Sequence, residues 1–175
     1  MELFDLYDKN RNLIGKTIER GKPLPENCYR LVVHVCVFNS KGEMLIQQRQ
    51  PFKKSWSNLW DISVGGGVVS GETSQIGASR ELKEELGIDY CFEVDRPCLT
   101  INFEYGFDDY YLIEKDIEIS ELSLQYEEVQ RAKWATANEI VKMIDEGILI
   151  PYHQALIELL FSMRDKSGAH TRKDI

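Results

Sequence analysis

The 175-residue sequence predicts an α/β fold, and three features carry that expectation. Residues 29–39 (YRLVVHVCVFN) form an apolar, β-branched run of strand length, as a central strand buried on both faces requires. Residues 74–86 carry apolar side chains at helical spacing and are followed by Gly87 in the position of a helix C-cap. Strand-like and helix-like segments then succeed one another as far as residue 163.

Taken in order, residues 2–8 (ELFDLYD) and 12–18 (NLIGKTI) are two strand-like runs around Lys9-Asn10-Arg11. Asp8, Asn10 and Gly15 supply turn chemistry, so a small N-terminal hairpin is expected. Residues 20–27 (RGKPLPEN) contain two prolines and no periodicity, the signature of a connector. The expected organisation is therefore a hairpin and connector over 1–28, a main domain over 29–165 and a polar tail over 166–175. The central strand at 29–39 turns at 40–43 and resumes as residues 44–49 (MLIQQR), an antiparallel pair. His34, inside the first of these strands, reads as a satisfied core histidine rather than a catalytic one. Arg49 ends the second strand just before Pro51, and reads equally as a solvated strand-end charge or as a bidentate clamp for an anion.

Residues 50–58 (QPFKKSWSN) are a polar loop in which Lys53 and Lys54 read as solvated. Residues 59–64 (LWDISV) form a short strand running into three glycines at 65–67, where close backbone approach is allowed; Trp60 reads as core. The helix that follows begins near Thr73 or Ser74 and ends at Leu86. At about 100° per residue, Ala78, Leu82 and Leu86 make an apolar stripe, and Gly77 leaves room for the preceding loop. Beside the stripe, Glu81, Glu84 and Glu85 stand at i, i+3 and i+4 and form one carboxylate patch. Three like charges so close repel one another unless a cation sits among them. That patch is the reason to expect a divalent metal.

Beyond the helix, residues 90–105 carry strand material, clearest at 99–103 (LTINF), with a turn at 104–106 and a further strand at 107–114 (FDDYYLIE). A short strand at 130–135 (QRAKWA) follows the acidic pair Glu127-Glu128. Thr136 and Glu139 form a capping-box pattern at the head of an amphipathic helix ending at Gly147. A last helix is expected over 151–163, with Pro151 in its first turn.

Composition narrows the function. Hydrophobic residues make up 43% and charged residues 29% of the chain, the balance of a water-soluble domain. A net charge of −8 argues against a nucleic-acid backbone or an anionic membrane as partner. No apolar run approaches the roughly 20 residues of a membrane span, and residues 1–10 lack a signal-peptide pattern. Cys28, Cys36, Cys91 and Cys98 show no metal-ligand spacing, and Cys36 reads as a buried reduced thiol. A cytoplasmic protein is expected.

Gly66, Glu72, Arg80, Glu81, Leu82, Glu84, Glu85, Gly87 and Ile88 match every fixed position of the Nudix box, GX5EX7REUXEEXGU, in which U is a bulky aliphatic residue. The chain therefore resembles the Nudix hydrolase (MutT-like) family over about residues 29–163. The resemblance implies an α/β/α sandwich on a mixed sheet, here with a short N-terminal hairpin added. It implies hydrolysis of a nucleoside diphosphate linked to a further group X, or of a related diphosphate. It also implies Mg²⁺ or Mn²⁺ held by Glu81, Glu84 and Glu85 with the carbonyl of Gly66. Glu84 or Glu81 is implied as the base, with Arg80 in the same catalytic set. Arg49 is a candidate for substrate binding. Glu128 is an outside candidate from a loop beyond the box, although a solvated acidic turn is the simpler reading. A homodimer is compatible with the sequence.

The N-terminal segment also resembles the branch that contains isopentenyl-diphosphate isomerase. Those isomerases carry a catalytic cysteine in the strand after the tryptophan and a degenerate box. Here residues 60–65 (WDISVG) hold no cysteine and the box is intact, which favours hydrolysis. Glu104 lies near the place of that branch's second catalytic residue. Trp56, Phe103, Tyr105 and Phe107 could stack on a base, and each reads equally as core.

Overall fold

The structure is a computed structural model that describes residues 2–165 and 168–170. The tail expected over 166–175 lies, apart from residues 168–170, outside the described residues. Strands β1 (Leu3–Tyr7) and β2 (Leu13–Glu19) form the N-terminal antiparallel hairpin as expected. Strand β3 (Arg30–Phe38) is the axis of a mixed sheet. It pairs in parallel with β8 (Gly106–Glu114) along its whole length, from Arg30↔Gly106 to Phe38↔Glu114. Its other edge is divided. Strand β4 (Met44–Arg49) meets it only at Phe38↔Met44, and β6 (Val64–Gly67) takes over at 32–35.

That division corrects the expectation of one strand over 59–64. The segment pairs first with β4 as β5 (Trp60–Asp61), then crosses at Ile62-Ser63 and pairs with β3 as β6, which includes the three glycines. Ser63 spans the gap: its hydroxyl donates to the Leu45 carbonyl at 2.5 Å and accepts from the Val37 N–H at 2.8 Å. Strand β7 (Leu99–Phe103) pairs antiparallel with β8 across a turn at Glu104-Tyr105, and β9 (Val129–Ala135) pairs antiparallel with β4. Residues 90–98 form no strand, contrary to expectation.

Helix α1 (Ser74–Leu86) starts and stops where the sequence says. The Thr73 side chain accepts from the Ile76 N–H, and Gly87 adopts φ +73°, the left-handed cap that glycine tolerates at no steric cost. Ala78, Leu82 and Leu86 are fully buried against Val33, Val35 and Val37 on one face of the sheet. Helices α2 (Ala137–Asp145) and α3 (Gln154–Met163) cover the opposite face with Phe38, Met44 and Ile46, completing the α/β/α sandwich. The capping box of Thr136 and Glu139 is present. Pro151 is not in the first turn of α3. Residues 149–150 instead run beside Trp60, with the Ile150 N–H donating to the Trp60 carbonyl at 2.9 Å, and the helix starts only at Gln154.

Candidate active site

Helix α1 is fixed to the core by its apolar stripe, so its neighbouring side is held rigidly against β6. Glycine makes that approach possible. A Cβ on Gly66 would stand 2.1 Å from the Glu81 carboxyl carbon, and one on Gly77 would meet Val68 at 2.9 Å. The acids and bases of the box, with residues from four other segments, line a cleft of about 70 Å³. Its walls include Glu81, Glu84, Glu85, Arg80, Arg49 and Glu128, and beyond these Gly65, Gln125, Glu2 and Arg20.

Arg80 organises one side. Its Nε and Nη2 donate to the two oxygens of Glu72 at 2.7 and 3.0 Å, and Nη2 also donates to the Gly67 carbonyl at 3.0 Å. Its Nη1 donates to Glu81 at 2.9 Å and to Glu84 at 3.1 Å. Burial works against the guanidinium charge, but the bonds to Glu72 and Glu81 outweigh it and raise its pKa. Glu72 in turn accepts from the Val69 N–H at 3.1 Å, so the box glutamate ties the loop ahead of α1 to the arginine. Among the described residues, no three His, Cys, Asp or Glu converge closely enough to hold a metal as placed. The acids of the patch are spread around Arg80 instead.

The other side holds an acid that its neighbours leave unsatisfied. Glu85 is 3% exposed and its Oε2 has no hydrogen-bond partner among the described residues. Burial, then the charges of Glu81, Glu128 and Asp61, push its pKa well above the ordinary carboxylate range. Burial also raises Glu81, against the pull of Arg80. Glu84 differs, with its side chain 48% exposed at the mouth. Arg49 stands in the cleft wall, 3.8 Å from Asp61, with its Nε buried and without a partner among the described residues. It is not a solvated strand end. Glu128 also lines the cleft and is ion-paired with Lys53, so neither is the freely solvated loop charge that the sequence suggested.

Sequence reasoning missed Arg20, Glu2, Lys53 and Asp61. Arg20 comes from the end of the hairpin and pairs with Glu2 at 2.7 Å; no short-range pattern signals its approach. Other candidates fall outside the acidic cleft. His34 sits 3.3 Å from Asp108 and stacks on Tyr110 at 4.6 Å, with its Nδ1 buried and unpartnered. Phe107 is core, Trp56 and Tyr105 are exposed, and Glu104 lies in the β7–β8 turn. Trp60 is buried with Arg131 and Lys133 over its ring. No cysteine lines the cleft.

Residues 29–155 match the NUDIX domain. A Nudix hydrolase of Listeria monocytogenes is 44% identical over 170 residues, covering 97% of this chain and 99% of its own length. An isopentenyl-diphosphate Delta-isomerase of Corynebacterium diphtheriae is 28% identical over 105 residues, covering 60% of this chain and 57% of its own. The crystal structure of a Deinococcus radiodurans protein superposes with a TM-score of 0.73 at 27% identity, covering 91% of this chain and 97% of that one. The family match spans most of the chain and the Listeria relative nearly all of it, and on that ground the chain belongs to the Nudix hydrolase family.

Proposed function

We propose that this hydrolase is a metal-dependent pyrophosphohydrolase, cleaving a nucleoside diphosphate linked to a group X, or a related diphosphate, by attack of water on phosphorus. The observation that carries the reading is the orphaned Glu85 carboxylate at the floor of a cleft that also holds Glu81, Glu84 and Glu128. A buried carboxylate with no partner is costly, and a hard dication with oxygen ligands is the partner this donor set suits. Glu81, Glu85 and the Gly66 carbonyl would hold Mg²⁺ or Mn²⁺, with Glu84 able to join by leaving Arg80. The bound ion would neutralise the diphosphate and lower the pKa of a coordinated water.

The chain's own groups supply the rest. Glu84, exposed at the mouth, is the acid that a water reaches, and takes its proton. Arg80 holds Glu72, Glu81 and Glu84 in place, acting as a positioning residue for the acids. Arg49 faces the same space and fits an anionic phosphate. The absence of a thiol from the cleft supports hydrolysis over the isomerase alternative.

A panel of nucleoside diphosphates, nucleotide sugars and dinucleoside polyphosphates, assayed with Mg²⁺ and Mn²⁺, tests the proposal. Metal-dependent phosphate-bond cleavage, lost in Glu85→Gln and Glu84→Gln, is the expected result. No turnover above those variants on any substrate would overturn it.

A further inference from the structure

The acidic cleft is too small for a whole substrate. About 70 Å³ holds an ion and one or two waters, each of which occupies roughly 30 Å³, whereas pockets for drug-sized ligands run from about 300 to 1,000 Å³. The organic part of a diphosphate must therefore lie outside it. A cavity of about 670 Å³ opens beside the N-terminal hairpin, with Phe4, Ile18, Pro23, Leu24, Arg30 and Tyr105 among its lining residues. The two spaces draw on adjoining residues of the hairpin: Glu19 and Gly21 flank Arg20 of the acidic cleft, and Phe4 lies two residues from Glu2.

The wall between them is built to close tolerances. Phe4 packs on the backbone of Gly67, where a Cβ would stand 2.6 Å from its ring, so β6 carries the box glycine on one side and this cavity's aromatic wall on the other. At the opposite wall a Cβ on Gly106 would stand 1.9 Å from the Arg30 carbonyl, and the Arg30 N–H donates to the Tyr105 carbonyl at 3.0 Å. That contact sets the exposed Tyr105 beside Arg30. Arg30 is the unusual member. It is partly buried among apolar side chains and makes no side-chain hydrogen bond or ion pair among the described residues; Asp108 and Arg20 act on it only through their charges. A desolvated guanidinium with free donors favours a planar or tetrahedral anion that can take two of them.

We propose that this cavity receives group X, and that Arg30 selects for an X bearing a negative charge of its own, a phosphate or a carboxylate, on a ring or chain that packs against Phe4, Leu24 and Tyr105. The proposal rests on the pyrophosphohydrolase reading, and its test separates the two. Matched pairs of nucleoside diphosphates whose X differs by one anionic group serve as probes: ADP-ribose 1″-phosphate against ADP-ribose for phosphate, UDP-glucuronate against UDP-glucose for carboxylate. The expected result is a kcat/KM at least about tenfold higher for the more anionic member of at least one pair, carried mainly by KM. Arg30→Met erases that preference and leaves the plain member within about twofold, and Arg30→Lys restores part of it. Equal turnover within every pair, or an equal loss on both members in Arg30→Met, would overturn the proposal. If no diphosphate is hydrolysed, the function reading fails, and calorimetry with the same pairs decides the cavity: tighter binding of a more anionic member that Arg30→Met abolishes supports it, and equal binding overturns it. Tyr105→Ala, on an exposed turn, provides a second variant should Arg30→Met not fold; it is expected to weaken binding of the more anionic member, and an unchanged affinity would count against the cavity.

Discussion

Two of the buried carboxylates among the described residues, Asp109 and Glu85, are treated in opposite ways. Asp109, in the middle of β8, is 0% exposed. It is ion-paired with Arg11 through both oxygens and accepts from the hydroxyls of Ser74 at 2.5 Å and Thr100 at 2.7 Å, while the Tyr111 hydroxyl donates to Ser74 at 2.8 Å. Glu85, on α1, is 3% exposed and has an oxygen with no partner among the described residues. Equal burial with unequal satisfaction separates two jobs. Asp109 joins the hairpin turn, the start of α1 and the sheet into one network, and leaves no capacity unused. Glu85 keeps an oxygen without a partner among the described residues, which suits the metal-ligand role proposed for it.

The contrast breaks most sharply at Glu85. Glu85→Gln is expected to lower kcat by about 10³-fold with Mg²⁺, equivalent to roughly 4 kcal/mol of barrier, while the chelator-treated variant melts no lower than the wild type. A lower melting temperature in chelator would show that the carboxylate is structural after all. Asp109→Ala should behave inversely. It is expected to cost about 3 kcal/mol of stability in urea unfolding, because it strips a buried pair of one member and leaves two hydroxyls unpaired.

The pH dependence sharpens the comparison. The folded Glu85 carboxyl sits well above the unfolded value of 4.5, so the folded state binds its proton more tightly than the unfolded one. Stability from this group is present below that value and is lost as pH rises through the raised pKa. The chelator-treated protein should therefore melt progressively lower as pH rises above the unfolded value of 4.5. Glu85→Gln should flatten much of that slope, with a remainder from Asp61, which burial also pushes up. Mg²⁺ at pH 8 should restore the wild type and leave the variant unchanged; equal restoration of both would remove Glu85 from the ligand set. The smallest effect is expected at Lys53→Met, which removes the ion pair with Glu128. A loss under about 1 kcal/mol by thermal unfolding is anticipated.

How far these features could be read from the residues follows from distance along the chain. Helix α1 was legible to the residue because its stripe, its Thr73 cap and its Gly87 stop are local. The carboxylate patch was legible for the same reason, since helical spacing alone places Glu81, Glu84 and Glu85 together. The break between β5 and β6 was not, because it exists only where β3 and β4 part and Ser63 bridges them. Pro151 misled because it suits a first helical turn, whereas the backbone beside it is taken up by Trp60. Arg80 was named as a catalytic candidate without the four partners that make it an organiser, and Arg20 was missed because only the docking of the hairpin brings it to the cleft.

The pinning of that hairpin has a consequence for its lifetime. A two-stranded ribbon is marginal alone in water, yet Arg11 ties its turn to Asp109, the Asp5 carboxylate accepts from the Ser70 hydroxyl at 2.7 Å and the Gly71 N–H at 2.8 Å, and the Ser70 N–H donates to the Leu3 carbonyl at 2.7 Å. Amide protons in β1 and β2 should therefore exchange with solvent on the timescale of the body of the sheet rather than that of a loose terminus. Cutting the chain to residues 29–155, the span that matches the family, would remove Arg20 from the cleft lining and bare the Gly67 backbone, and is expected to give a less stable body.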